Sequence, residues 1–596
     1  MNLLEQTISA ITVPDGMIAD AVNRAQKEQM REDFGRLTPA LLKYIRITGE
    51  RHPAPPQTSI IISCADHGVA AESVSAYPPE TTQNMMRNYL IAHGAAANAA
   101  ANYANAALIV ADLGVNMECA DIPGLLHYSV ARGTANMTKG PAMTRAQAIQ
   151  SIETGIALAN VRADAGDGCI LPGEMGISNT TSSAAIVAAF LGLSAEEVTG
   201  RGANISDARL AHKIEIVRRT LAVNCPDPHD ALDVLAKVGG FELGCIAGLI
   251  LGAAARRMLV VLDGANTTSA ALIAQSLAPS CVHYILASHS SLTEHSHPHA
   301  LHRLGLTPML RLDIRLSEAA GSSIALRMLG QMLAIWEAVD ASVDPSLPPL
   351  IARSPFPADE AVCHSAISAS PAPPIQSIMD VCQYRLDNLA KPIHSLGCLE
   401  RIAVQLAGIM GCERPPLNVQ TAFLLITDGK ELPADLTRIL SALTKAANIP
   451  VRIVSRDTNT DIYDMAYTIA HRYPLLILGT YETEERPTVS QALGAALHGA
   501  AAGGSLILPG DGQTDHMART AEKKSPALCP YILHVLPDLL TIDTELTAGI
   551  AGILGTEIVR AALHVVNDMK TFTETGVAVA IDGAGAGRQI RETAKK

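Results

Sequence analysis

Residues 59–68 read SIIISCADHG, an apolar run, Ser59-Ile60-Ile61-Ile62-Ser63, that stops abruptly at the polar cluster Cys64-Ala65-Asp66-His67-Gly68. β-Branched residues without polar alternation suit a strand covered on both faces, and such strands belong to parallel sheets. The same event recurs along the chain. ALIVA runs into Asp112-Leu113-Gly114, GCIL into Pro172-Gly173-Glu174, MLVVL into Asp263-Gly264, and HYILA into Ser288-His289-Ser290. Between these runs lie Ala-rich segments with helical spacing, such as residues 184–193, so strands alternate with helices. The expected fold is α/β, a Rossmann-like parallel sheet flanked by helices. Ligands of such sheets gather outside the carboxyl ends of the strands, which is where the polar clusters fall.

The pattern pauses at residues 344–377, where eight prolines without a period read as a linker, and then it restarts. Phe34-Gly35-Arg36-Leu37, then PPQ and SIIISCADHG, is echoed by Leu396-Gly397-Cys398-Leu399, then Pro415-Pro416 and FLLITDG. PMLRLDIRLSEAAG from Pro308 is echoed by PDLLTIDTELTAGIAG from Pro537 once one residue is inserted. Ordered recurrence of two separate pieces indicates a tandem duplication with a shortened second copy. The expected domains are residues 1–343, the linker 344–377, and the second copy 378–596, with small helical subdomains beside each sheet.

Composition sets bounds. At 596 residues the chain exceeds one hydrophobic core, and 48% hydrophobic but 3% aromatic content describes a globular interior of small side chains. A net charge of −13 argues against a nucleic-acid partner. The longest apolar run, residues 243–255, is too short to cross a bilayer and reads as a core helix. Eleven scattered cysteines with no CxxC pair, and an N-terminus lacking a basic signal segment, place the expected protein in the cytoplasm.

Glu318 stands alone among Ala, Gly and Ser in MLRLDIRLSEAAGSSIAL, residues 309–326. The commonplace reading is a solvated carboxylate at a helix start. Amid small apolar neighbours it would instead be partly desolvated, which raises its pKa towards the range useful to a general base. Glu174-Met175-Gly176-Ile177-Ser178-Asn179-Thr180-Thr181 follows a strand and opens a helix, offering hydroxyls and free N–H groups as a phosphate cradle, or else a multiply capped helix start. Gly200-Arg201-Gly202 and Lys213 add a glycine turn and two cations. The histidines between His283 and His302 invite a metal reading, but Pro298 interrupts them and no Cys or HxxxH helix accompanies them. No metal and no cofactor are expected. Asp66, Asp112 and Asp263 are each, taken singly, turn residues.

Together these motifs resemble the nicotinate-nucleotide dimethylbenzimidazole phosphoribosyltransferase family, which activates the lower-ligand base of cobalamin. The resemblance rests on ADHGV (65–69), VSAYPPETTQNM (74–85), GTANMTKGPAMT (133–144), GEMGISNTTS (173–182), GRGA (200–203), KVGGFE (237–242), LDG (262–264), SHSS (288–291) and RLSEAAG (315–321). It implies Glu318 as catalytic base. Ser178, Asn179, Thr180, Gly202 and Lys213 would hold phosphate and ribose, Ser75, Tyr77, Asn84 and Leu316 the base, and Glu174 the nucleotide or a water. Gly176, Gly200, Arg201, Asp263, Ser288, His289 and Ser291 fall in the same motifs and are carried over as substrate-binding. The implied partners are nicotinate mononucleotide and an aromatic base.

The second copy resembles the same family where the first does not. DNLAKPIHSLGCLE (387–400) is similar to its N-terminal signature and DMKTFTETGV (568–577) to its C-terminal one. ADHGV has become Thr427-Asp428-Gly429-Lys430, and the place of Glu318 falls on Ala548, or on Thr547 without the insertion. Because family members are dimers, the chain resembles a dimer fused end to end, with self-association of the fused chain left open. LSEAAGS and GRGAN depart from the family's usual LGEGTGA and GRGTG, and Asn84 stands near its usual Gln, which leaves open a phenolic, purine or other benzimidazole base. A non-catalytic regulatory homologue is the alternative of a different class, and the retained Glu318 and Glu174 speak against it.

Overall fold

The computed structural model describes residues 2–291, 293–340, 374–455, 462–481, 487–503, 505–542 and 546–587. Its first sheet contains β1 (Thr58–Ala65), β2 (Ala107–Gly114), β3 (Leu126–His127), β4 (Cys169–Met175), β5 (Leu259–Leu262) and β6 (Ile285–Ala287). Their order is β3-β2-β1-β4-β5-β6, all parallel. Every residue of β1 is buried, as its unbroken apolar run requires. A two-stranded piece, β7 (His289–Ser290) with β8 (Leu310–Arg311), follows the first sheet.

The small-residue composition is spent on close helix packing. Helix Arg145–Asp164 lies against the buried helix Phe241–Ala255 so tightly that a Cβ on Gly155 would sit 1.9 Å from the Cys245 carbonyl oxygen, and one on Gly248 1.9 Å from that of Ile152. A methyl at either site would force the helices apart.

The second sheet holds β9 (Thr421–Thr427), β10 (Val451–Ser455), β11 (Leu475–Tyr481) and β12 (Leu506–Pro509), in the order β10-β9-β11-β12, all parallel. This repeats β2-β1-β4-β5. A Cβ on Gly173 would meet Ser317 and Glu318, and one on Gly479 would meet Ala548 and Gly549, so the two glycines occupy equivalent places and Thr480 stands where the first copy has Glu174. The tandem duplication is thus present in topology as well as in sequence. Most of the linker expected at 344–377 lies outside the described residues, and its last two residues, Gln376 and Ser377, already begin helix Gln376–Asn388.

The halves meet through equivalent parts. Leu310 bridges Leu540 in antiparallel fashion, with Arg311 N–H donating to the Leu539 carbonyl (2.9 Å) and Thr541 N–H to that of Met309 (3.0 Å). The two echoed segments therefore face each other as a two-fold relation demands. Helices Ala320–Val339 and Ile550–Asp568 pack together, each also against a helix of the opposite half, Ala434–Ala447 and Ala96–Ala104 respectively. Helix Ile550–Asp568 is long and apolar enough to cross a membrane by length and composition, but it is buried here as a core helix between the halves.

Candidate active site

Glu318 enters the cleft from a loop that β5 holds in place. Asp263, at the end of β5, is fully buried, and its carboxylate accepts from the N–H groups of Ala319 (3.0 Å), Gly321 (2.9 Å) and Ser322 (2.9 Å). These are free donors at the start of helix Ala320–Val339, and Ala319 is left-handed (φ 63°), which turns the chain sharply after Glu318. Burial pushes the Asp263 carboxyl up to about 7 against the pull of its three donors. Asp263→Ala is expected to destabilise the fold by ~2 kcal/mol, by orphaning buried N–H groups, and to lower kcat; chemical denaturation and steady-state rates check both.

Glu318 itself is 3% exposed, with Oε2 accepting from Ala97 N–H (3.2 Å). Burial lifts its carboxyl to about 7, opposed by the Ala97 N–H and the Tyr89 hydroxyl, and the nearby Asp263 charge pushes the same way as burial. Glu174, at the end of β4, accepts from the amides of Asn266 (2.6 Å) and Asn179, and its own N–H donates to the Ser317 carbonyl (3.0 Å). Burial raises Glu174 to about 8, reinforced by Glu242 and Glu318. Two proton-accepting carboxyls thus share one wall.

The hydroxyl-rich segment does open a helix, Asn179–Leu191, with Ser178 left-handed (φ 77°) at its cap and its hydroxyl buried without a partner among the described residues. Lys213 reaches the same end from helix Asp207–Asn224, its ammonium donating to Thr180 Oγ1 (2.8 Å) and the Gly200 carbonyl (3.2 Å). Burial lowers it to about 8. Gly202, also left-handed, closes the turn beside Thr180.

One cleft joins these parts. Of the residues expected from sequence, Ser75, Tyr77, Glu174, Gly176, Ser178, Asn179, Thr180, Arg201, Gly202, Lys213, Ser291, Leu316 and Glu318 line it. Asn84, Gly200, Asp263, Ser288 and His289 do not line it. Gly200 instead receives Lys213, and Asn84 Oδ1 accepts from Ala578 N–H (3.4 Å). The Ser288 hydroxyl meets His289 Nδ1 (2.9 Å), while His289 Nε2 faces the Ile314 carbonyl (3.3 Å) and His297 Nε2 the His289 carbonyl (3.0 Å). Burial lowers both imidazoles to about 4, so they are neutral braces for the loop that carries Glu318.

Sequence reading missed the roof of the cleft, which the second half supplies as Ala390, Lys391, Pro392, Phe572 and Val577. Lys391 is buried against Glu400 (2.8 Å), and its carbonyl accepts from the Tyr77 hydroxyl (3.3 Å). Gly397 is left-handed, and a Cβ there would lie 2.2 Å from the Leu312 carbonyl, so only glycine lets SLGCL dock on the Glu318 loop. The tail from Val577 lies over the cleft mouth, where Ile581 N–H donates to the Ala76 carbonyl (2.8 Å) and Asp582 accepts from Ser206 N–H (3.0 Å). The two signatures that the second copy retains, 387–400 and 568–577, were the available signal. The first half reciprocates with Glu32, whose carboxylate accepts from Thr547 N–H (3.0 Å) and hydroxyl (2.5 Å) in the second half.

A family model described as Phosphoribosyltransferase matches residues 11–343 and again 372–498. The chain belongs to this phosphoribosyltransferase family. Among its relatives, the nicotinate-nucleotide–dimethylbenzimidazole phosphoribosyltransferase of Chloroflexus aggregans is 45% identical over 330 residues, 55% of this chain and 93% of that protein. The enzyme of the same name from Syntrophotalea carbinolica is 46% identical over 335 residues, 55% of this chain and 94% of its own length. The crystal structure of CobT from Thermus thermophilus is 38% identical with a TM-score of 0.52, covering 55% of this chain and 99% of that one. A single relative thus accounts for little more than half of this phosphoribosyltransferase chain, as a duplicated chain requires.

Proposed function

We propose that the chain transfers phosphoribose from nicotinate mononucleotide to a benzimidazole-type lower-ligand base, giving an α-ribotide and nicotinate for cobamide synthesis. The observation that carries this is one buried carboxyl, Glu318, lifted to about 7 in a cleft lined both by apolar side chains (Val74, Met85, Leu316, Phe572) and by hydroxyl- and ammonium-bearing ones (Ser178, Thr180, Lys213). The relatives named for this reaction support it.

On this reading Glu318 takes the N–H proton of the azole while the opposite ring nitrogen attacks C1′. The bond from C1′ to the pyridinium nitrogen breaks with its electron pair going to the ring, so nicotinate leaves without an acid, and attack from the far face inverts β to α. Lys213, Thr180 and Ser178 hold the phosphate, and Glu174, fixed by Asn179 and Asn266, orients the ribose. Holding two substrates in line supplies much of the rate gain.

On this reading catalysis belongs to residues 1–343, with 378–596 as a degenerate partner, and the chain acts as a fused pseudo-dimer. The cysteines among the described residues are all free, which suits the reducing cytoplasm. The test is to incubate the protein with nicotinate mononucleotide and a panel of benzimidazoles, purines and phenols while following nicotinate release. Release with a benzimidazole in preference to the others is expected. Release with no base would sink the enzyme reading, and preference for a phenol or purine would reassign the acceptor.

A further inference from the structure

A third buried carboxylate lines the cleft and takes no part in the steps above. Glu294 is 8% exposed, and its Oε1 is buried without a hydrogen-bond partner among the described residues. Its Oε2 packs against Gly200, where a Cβ would lie 2.8 Å away. The Gly200 carbonyl accepts from Lys213 (3.2 Å). The Gly200–Gly202 turn is therefore held between an acid and an ammonium. The charged groups facing Glu294 are Lys213 from helix Asp207–Asn224, Arg315 from the loop that carries Glu318, and His295 from its own segment, with Gly202 N–H donating to it.

We propose that Glu294 is the counter-ion that keeps Lys213 charged and aimed into the cleft, and so positions the phosphate of the ribosyl donor. The proposal rests on the donor reading given above. Among the described residues both hydrogen-bond partners of Lys213 are neutral oxygens, from Thr180 and Gly200, so neither stabilises its charge as a carboxylate does. Burial pulls the ammonium down to about 8 even with Glu294 opposing that pull. Remove the opposing charge and the amine becomes neutral close to physiological pH, and a neutral amine does not capture a phosphate dianion. Once the phosphate is seated it serves as counter-ion in its own right, so Glu294 matters for capture and little for turnover.

The test follows donor KM and kcat from pH 6 to 9 for wild type, Glu294→Gln and Glu294→Asp, with nicotinate mononucleotide and saturating 5,6-dimethylbenzimidazole. The wild-type KM is expected to stay level to about pH 8 and rise beyond. Glu294→Gln should match wild type near pH 6, and for a lysine titration displaced by about one pH unit its KM should be about fivefold higher at pH 8 and approach about tenfold by pH 9, with kcat unchanged. Glu294→Asp should recover part of the loss. Inorganic phosphate binding, followed by calorimetry across the same pH range, should diverge in the same way and needs no turnover. KM or phosphate curves parallel to wild type, tighter phosphate binding in Glu294→Gln at every pH, or a loss confined to kcat each overturn the proposal. A wild type that binds phosphate with the expected pH dependence but releases no nicotinate would instead sink the donor reading alone.

Discussion

Glu318→Gln is expected to lower kcat about 10³-fold, the scale of a general base lost from a transition state, while donor KM changes little. The amide keeps the shape and can still accept from Ala97 N–H (3.2 Å in the wild type), so the cleft has no reason to rearrange. The pH profile carries the more specific signature. A base must be ionised to act, and the Glu318 carboxyl is lifted to about 7 chiefly by burial, so wild-type kcat should climb with pH through about 7 and then level. In the variant that limb should vanish. Stability moves the other way. The buried carboxyl holds its proton to about pH 7, whereas an unfolded glutamate loses it near 4.3. Stability therefore falls as pH rises between those values, and the neutral Gln is exempt from that loss. At pH 8 the variant is expected to be more stable by about 3–4 kcal/mol, a dead enzyme that melts later. Unchanged kcat, or a variant that is both slow and unstable, would show that Glu318 serves the fold.

The alternation of strands and helices was legible because each buried strand is a continuous apolar run ending in a polar cluster, and β1, β2, β4, β5, β6 and β9 all fall on such runs. The strands β3, β7 and β8 were not, since two residues each carry no period. Glu318 was legible because the duplicated copy keeps its small-residue scaffold and has Ala548 in its place. The structure extends that comparison, for Thr480 follows Gly479 as Glu174 follows Gly173, each glycine packed against the equivalent loop. The role of Asp263 was hidden, because spending a carboxylate on three N–H groups depends on a helix start 56 residues later arriving at the end of β5. The roof was hidden for a similar reason. Residues 390–392 and 572–577 reach the first cleft only through a relation between halves that no local pattern encodes. That relation explains which signatures survive. The segments at 387–400 and 568–577 persist in the second copy because they close the cleft of the first.

The same relation makes Glu557 the position where the fused chain is most vulnerable. Aligning the starts of helices Ala320–Val339 and Ile550–Asp568 puts Glu557 in register with Arg327, each seven residues in. In two identical copies these positions would carry the same residue; here one is acidic and the other basic, and they pair (3.3 Å). Glu557 is 0% exposed and also accepts from Tyr103 (3.0 Å) and Gln331 (3.2 Å) of the first half and Arg560 (3.0 Å) of the second. Glu557→Ala leaves Arg327, Tyr103 and Gln331 of the first half, and Arg560 of the second, without their shared acceptor. The Arg327 side chain is 40% exposed, so losing its acceptor costs less than in a fully buried pair, and together with the buried phenol and amide left unsatisfied the cost is about 2–3 kcal/mol, enough to lower the denaturation midpoint clearly. Activity should fall with it, because the roof residues Ala390–Pro392, Phe572 and Val577 are held over the Glu318 cleft by this seam. Removing both charges together, Arg327→Leu with Glu557→Leu, should recover much of the stability, since well-packed apolar replacements of a buried pair are often neutral. If Glu557→Ala retains wild-type stability and turnover, the seam is carried by apolar packing, and the opposite charges at equivalent positions have no part in joining the halves.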